Sequence, residues 1–117
     1  MSRLGISFFR EGTMSVKEPV QYWLRSLPAA DRKTIGADLL AVQFRWPMGK
    51  PLVDSLGDGL WELRSNLEGR TARLIFLIDD GEIVLLHGFI KKTRTTPHAA
   101  LALARSRAKK WSRHESE

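Results

Sequence analysis

The 117-residue chain contains no cysteine. This absence excludes disulfide bonds, thiolate nucleophiles and cysteine metal ligands. No apolar run approaches the roughly 20 residues that a transmembrane helix needs, and the run at residues 4–9 is too short for a signal-peptide core. The length suits a single folding unit. We therefore expect one domain, residues 1–117, in the cytoplasm and without a membrane partner.

Acidic residues are missing from one long segment near the C-terminus. Residues 91–113 include no aspartate or glutamate but eight cations, namely Lys91, Lys92, Arg94, Arg105, Arg107, Lys109, Lys110 and Arg113. The formal net charge of the whole chain is +6. Such a balance favours an anionic partner, either nucleic acid or an acidic protein.

The motifs of several enzyme classes are also missing. The sequence has no acidic metal-binding cluster, no nucleophile elbow with a Ser/His/Asp set and no glycine-rich phosphate loop. We therefore expect neither a metal ion nor an organic cofactor.

Apolar residues recur at three- and four-residue steps in two segments of the N-terminal half. This spacing predicts helices over residues 16–27 and 29–45, joined by a very short link into an αα-hairpin. The proline- and glycine-rich residues 47–59 are interpreted as a loop. An alanine-rich helix is predicted over residues 99–111, after Pro97.

Short runs of β-forming residues predict four strands, over residues 4–10, 60–64, 70–78 and 82–90. Asp79-Asp80-Gly81 is a strong hairpin signal, because such turns require positive φ angles. The element order β-α-α-β-β-β-α indicates an α+β fold. We expect a small, mainly antiparallel sheet with the αα-hairpin on one face, a partly open opposite face and a C-terminal helix.

Alternation along the predicted strands selects a set of polar residues. Because side chains of a strand point alternately to its two faces, one face is expected to carry Arg64, Arg73, His87 and Lys91. Glu62 shares this face and can pair with an arginine. We expect the cations otherwise to lack balancing carboxylates and therefore to bind phosphate.

These residue types suit metal-free cleavage of RNA. In that reaction the 2′-hydroxyl attacks the adjacent phosphorus, a base takes its proton and an acid protonates the leaving 5′-oxygen. Histidine suits either role, and lysine suits the base role when neighbouring cations lower its pKa. Arginine suits a bidentate phosphate clamp. The residues alone do not decide which group is the base.

Three motifs together resemble the HigB-like, phage-derived branch of the RelE toxins. They are Gly-Leu-Trp-Glu-Leu-Arg at 59–64, Arg-x-x-Arg-x-x-Phe at 70–76, and Leu-Leu-His-Gly-Phe-x-Lys-Lys-Thr-x-x-Thr-Pro at 85–97. The resemblance covers roughly residues 8 to 111. It implies a RelE-like fold and the toxin of a type II toxin–antitoxin system that cleaves mRNA in the ribosomal A site.

The resemblance also implies partners and site residues. The partners are a cognate helix-turn-helix antitoxin, the ribosome with its mRNA, and operator DNA only through the antitoxin complex. The family's cationic cleft matches Arg64, Arg70, Arg73, His87, Lys91 and Lys92. Among these and the neighbouring Arg94, we expect Arg64, Arg73, His87 and Lys91 to be catalytic and Arg70, Lys92 and Arg94 to bind RNA. Many relatives carry a lysine where this chain has Thr95. Two alternatives stay open: a ParE-like inhibitor of DNA gyrase, and an inactive phage-derived binding module.

Overall fold

A computed structural model of the chain describes residues 3–12, 18–91 and 96–115, with side chains as far as residue 111. Its elements are β1 (Gly5–Phe8), α1 (Pro19–Ser26), α2 (Ala29–Arg45), β2 (Val53–Gly57), β3 (Leu60–Leu67), β4 (Arg70–Asp79), β5 (Glu82–Lys91) and α3 (His98–Glu115). The α+β architecture predicted from the sequence is confirmed. Within these residues, no helix is both long and apolar enough to cross a membrane.

The described strands form one sheet in the order β1-β5-β4-β3-β2. β1 runs parallel to β5, and the other neighbours are antiparallel. The predicted β4–β5 hairpin is confirmed, with Asp80 and Gly81 both at positive φ (49° and 75°). Both central residues of a type I′ turn need this conformation, which Asp-Gly adopts readily.

The predicted loop over residues 47–59 is wrong in its second half, because Val53–Gly57 forms the edge strand β2. β2 pairs with β3 through a tight turn in which Asp58 and Gly59 have positive φ angles. This Asp-Gly pair carries the same hairpin signal as Asp80-Gly81. Of the prolines and glycines that suggested a loop, Pro47, Gly49 and Pro51 precede the strand, whereas Gly57 ends it and Gly59 lies in the following turn.

The two N-terminal helices follow the predicted pattern. α2 has the predicted bounds, and its apolar stripe of Ile35, Leu39 and Val42 is buried. α1 spans Pro19–Ser26 in the described residues, and the fixed φ of Pro19 suits the first helical turn. The predicted start at residue 16 lies outside the described residues.

Apolar cores lie on both faces of the sheet. α1 and α2 cover one face, where Leu63, Leu74 and Phe76 are fully buried. α3 covers the other face beside the β4–β5 hairpin, against residues such as Ile75 and Leu86. The face that we expected to be partly open is therefore apolar under α3, and its polar residues lie toward the opposite end of the strands.

A β-bulge in β5 shifts the alternation of its side chains. Phe76 pairs with Leu85 and Ile75 pairs with His87, so Leu86 is the extra residue. Leu86, on one side of the irregularity, and Phe89, on the other, both pack in the core under α3. Strict alternation would place an even- and an odd-numbered residue on opposite faces. Because of the bulge, odd-numbered residues after it point to the same face as even-numbered residues before it.

Gly88 follows the bulge and faces α1. A Cβ atom at this position would lie 2.5 Å from the ring carbons Cε3 and Cζ3 of Trp23. The absence of a side chain thus lets α1 approach β5 closely.

We predict that Gly88→Ala lowers the free energy of unfolding by about 1–3 kcal/mol, because the methyl group overlaps the Trp23 ring. Urea unfolding would measure this effect. Gly36→Ala is the matched control: a Cβ atom at this exposed helical glycine would meet no other atom within 4 Å, and alanine should stabilise α2 by roughly 0.5–1 kcal/mol. Equal urea midpoints for Gly88→Ala and the wild type would contradict a tight contact between α1 and β5.

Candidate functional site

The strand register brings three of the predicted catalytic residues together. Arg64 on β3 pairs directly with Arg73 on β4, and Arg73 pairs with Phe89 on β5. Lys91 lies two residues beyond Phe89, opposite Thr71. Side chains of directly paired residues share a face. Arg64, Arg73 and Lys91 therefore form one cluster, which we call the cationic cluster.

A buried carboxylate lies within the cationic cluster. Glu62 has no solvent-exposed surface, and its Oε1 atom accepts hydrogen bonds from Arg73 Nη1 at 2.6 Å and Arg64 Nε at 3.2 Å. Its Oε2 atom accepts a bond from Thr96 Oγ1 at 2.7 Å. Burying a carboxylate is costly unless such partners surround it. Glu62 therefore holds β3, β4 and the residue before Pro97 at fixed positions.

A second carboxylate comes from the strand that sequence reasoning missed. Asp54 on β2 pairs with Glu62 in the ladder, and its Oδ2 atom accepts a bond from Arg64 Nη2 at 2.8 Å. The expectation that the cations lack balancing carboxylates is therefore wrong. Arg64 bridges Glu62 and Asp54, and this fixes the direction of its guanidinium group.

Lys91 is the cation with the most unusual environment. Its side chain is buried, and Nζ has no hydrogen-bond partner among the residues that the structure describes. Burial lowers the pKa of Lys91, and the nearby charges of Arg73 and Arg64 lower it further, while Glu62 opposes the effect. Arg73 Nε is likewise buried without a partner in this part of the chain. Buried donors without a partner are rare in folded proteins.

His87 lies on the same face but outside the cationic cluster. In the ladder it pairs with Ile75, and Ile75 in turn pairs with Glu62. The imidazole ring stacks on Phe89 with the ring centroids 5.4 Å apart. Burial and the positive charge of Arg107 on α3 lower the pKa of His87. Both effects favour the neutral imidazole.

The structure does not bring Arg70 to the other cations. Arg70 Nη2 donates to both carboxylate oxygens of Asp31 on α2, at 3.0 and 2.9 Å. This contact lies on the sheet face that α1 and α2 cover. The other two predicted RNA-binding residues, Lys92 and Arg94, lie outside the described residues.

Several polar residues of the site were not selected from the sequence. They are Asp54, Thr96 and Arg107, together with the anchoring role of Glu62. The anchoring role of Glu62 had a local signal in the sequence, since residues two apart on a strand share a face and Glu62 lies two residues before Arg64. The others come from segments distant in sequence. The described residues contain no group of three or more His, Asp or Glu side chains arranged to hold a metal ion.

We predict that Glu62→Gln destabilises the protein by about 3–5 kcal/mol, because it leaves the buried Arg73 without a counter-charge. Urea unfolding would measure the loss. Glu68→Gln is the matched control, since Glu68 is exposed in the turn after β3 and should change stability by less than about 0.5 kcal/mol. A Glu62→Gln protein as stable as the control would show that the carboxylate does not hold the cluster.

A scan against protein-family models matches residues 22–109 to the family described as phage derived protein Gp49-like (DUF891). A search of curated proteins finds no match. The matched segment spans most of the chain, from α1 into α3, and includes the whole cationic cluster with His87. The chain therefore belongs to the phage-derived Gp49-like family, a RelE-like toxin family associated with toxin–antitoxin systems.

Proposed function

We propose that this chain is the toxin of a HigB-like type II toxin–antitoxin pair, and that it cleaves ribosome-bound mRNA without a metal ion. The observation that carries the proposal is the cationic cluster, in which Lys91 Nζ and Arg73 Nε are buried donors without partners among the described residues. Membership of a RelE-like, phage-derived family supports the same assignment.

A phosphodiester supplies what the cationic cluster lacks. Two phosphate oxygens provide acceptors for the unpartnered donors of Lys91 and Arg73. Arg64, whose side chain is 30% exposed, is the member of the cationic cluster that faces solvent, and it contacts the RNA backbone first. Glu62 already orients both arginines, so little reorganisation is needed as charge develops on the phosphorus oxygens.

His87 and Lys91 divide the proton transfers in this proposal. The neutral imidazole of His87 takes the proton of the 2′-hydroxyl as the 2′-oxygen bonds to phosphorus. The ammonium of Lys91, whose lowered pKa makes it a stronger acid than an ordinary lysine, gives a proton to the 5′-oxygen as the bond from phosphorus to that oxygen breaks. The products are a 2′,3′-cyclic phosphate and a free 5′-hydroxyl.

The ribosome is the proposed source of substrate positioning. His87 and Lys91 lie four residues apart on β5, so their Cα atoms are about 13 Å apart along the strand. The substrate must therefore be held accurately between the two side chains. Held geometry can lower a barrier by about 7 to 11 kcal/mol, and we expect free RNA to be cleaved weakly. A cognate helix-turn-helix antitoxin blocks the toxin in the cytoplasm, and the pair binds operator DNA through the antitoxin.

Induced expression in bacteria tests the function. We expect protein synthesis to stop before DNA replication, and mapped mRNA ends to show cuts within translated codons. Pulse labelling with methionine and thymidine separates the two processes. If replication stops first and mRNA stays intact, the ParE-like alternative replaces this proposal. If neither process is affected, the chain is the inactive binding module.

We predict that Arg64→Ala lowers the rate of ribosome-dependent cleavage about 10²- to 10³-fold, because one donor to the developing phosphate charge is lost. Since Arg64 is partly exposed, the fold should survive, and circular dichroism checks this. His98→Ala is the matched control, because His98 is exposed at the start of α3 and should cleave normally. Normal cleavage by a folded Arg64→Ala protein would remove Arg64 from the mechanism.

We predict a bell-shaped dependence of the single-turnover cleavage rate on pH. The rate rises as His87 loses its proton, with a pKa below 6.5, and falls as Lys91 loses its proton, with a pKa below 10.5. His87→Gln should lower the rate and abolish the rise. Lys91→Arg should lower it and abolish the fall, because arginine stays protonated. If the rise and the fall of the rate with pH are unchanged in these variants, the assignment of the two roles is refuted.

A further inference from the structure

The β-bulge at Leu86 poses a local bonding problem. A bulge takes one residue out of the regular ladder, and the freed backbone groups need other partners. Leu86 is buried, so water does not readily serve its carbonyl oxygen. The partner comes from α3, where Arg107 Nη1 donates to Leu86 O at 2.7 Å.

Further contacts hold the Arg107 side chain in place. Its Nε atom lies 3.4 Å from Oε1 of Glu11, and its Cζ atom lies 5.6 Å from the ring centroid of Phe9. The guanidinium group is thus held between the segment after β1 and the bulge in β5. Its planar fork matches this task, because Nη1 donates to the Leu86 carbonyl oxygen while Nε faces the Glu11 carboxylate in an ion pair.

We propose that Arg107 is a positioning residue of the candidate site, which caps the bulged carbonyl of Leu86 and so holds His87 on the face that carries Arg73. The inference rests on the proposed function for its catalytic consequence. Arg107 contacts Leu86, Glu11 and Phe9 rather than the cationic cluster. It therefore acts on the reaction through His87.

Electrostatics supports this arrangement. The charge of Arg107 on α3 acts on His87, Glu11 faces Arg107 from the segment after β1, and Ile75 is the apolar partner of His87 on β4. Among the charges that the structure describes, Arg107 is the one that acts on the imidazole, and it disfavours a second positive charge beside it. A base for the 2′-hydroxyl needs this neutral form.

The first arm of the test needs no nuclease activity. NMR titration of the full chain, labelled on histidine and assigned with His87→Gln, measures the imidazole pKa and the contact between the His87 and Phe89 rings. We expect Arg107→Met to raise the pKa of His87 toward 6.5 and to weaken the ring contact. Arg107→Lys, which keeps a charge and a donor, should largely preserve both.

Arg105→Met is the matched control, because Arg105 lies on the same helix, is exposed and pairs with Asp58 at 3.6 Å. It should leave the His87 signals unchanged. If Arg107→Met also leaves them unchanged, the inference is overturned. If Arg107→Met fails to fold, Arg107→Gln, which keeps a donor without the charge, is compared with Arg107→Lys. A pKa of His87 that is equal in all folded variants would overturn the inference.

The second arm measures ribosome-dependent cleavage. We expect Arg107→Met to lower kcat by about 10²-fold with little change in KM, as for a misplaced catalytic group. In the His87→Gln background the same substitution should add no further loss. A raised KM with unchanged kcat would mean direct contact with RNA and would overturn the inference. If the wild type cleaves nothing, the proposed function fails, and the NMR arm alone decides the role of Arg107.

Discussion

The carboxylate of Glu62 is fully buried, and a buried charge requires hydrogen-bond and ion-pair partners at defined positions. An uncompensated ion at this depth costs several kcal/mol, so the surrounding groups cannot be arranged freely. Arg73 approaches from β4, Arg64 from the same strand, and Thr96 from the segment that leads into α3. One side chain thereby links strand register, arginine orientation and the start of the last helix. Asp54 extends the network to the edge strand.

The same sheet face is apolar at one end and charged at the other. Under α3 it carries a compact apolar core that includes Leu60, Ile75 and Leu86. Toward the other end of the strands it carries the cationic cluster. The bulge in β5 makes this division possible, because it brings Phe89 to the face that Leu86 already occupies. α3 is therefore both a cover for the core and, through Arg107, a support for the bulge.

The charge of the site is far more balanced than the charge of the chain. The formal net charge is +6, yet among the site residues that the structure describes, the three cations of the cationic cluster face two carboxylates, Glu62 and Asp54. The excess equals the charge of one phosphodiester. In the proposed function this site gains from binding a backbone phosphate, and without it the described residues hold no large unpaired charge. In this arrangement the carboxylates orient the arginines, while Lys91 Nζ and Arg73 Nε are buried without hydrogen-bond partners among the described residues.

Local rules determined much of the fold from the sequence. Helical periodicity placed α2 with its observed bounds, and Asp80-Gly81 placed the β4–β5 hairpin, because both signals depend on neighbours within a few residues. β2 was missed although Asp58-Gly59 carries the same hairpin signal, since the prolines before it dominated the pattern.

For the site, the sequence alone selected the strand residues Arg64, Arg73, His87 and Lys91, because alternation and motif resemblance both act along one strand at a time. Tertiary structure decided how these strands align. It brought Arg64 and Arg73 next to Lys91 and left His87 in the neighbouring row of cross-strand pairs. It also turned Arg70 toward Asp31 on the opposite face. Register, the bulge and the ion pairs depend on partners far apart in the chain, and the free energy of a buried charge is defined only once those partners are assembled around it.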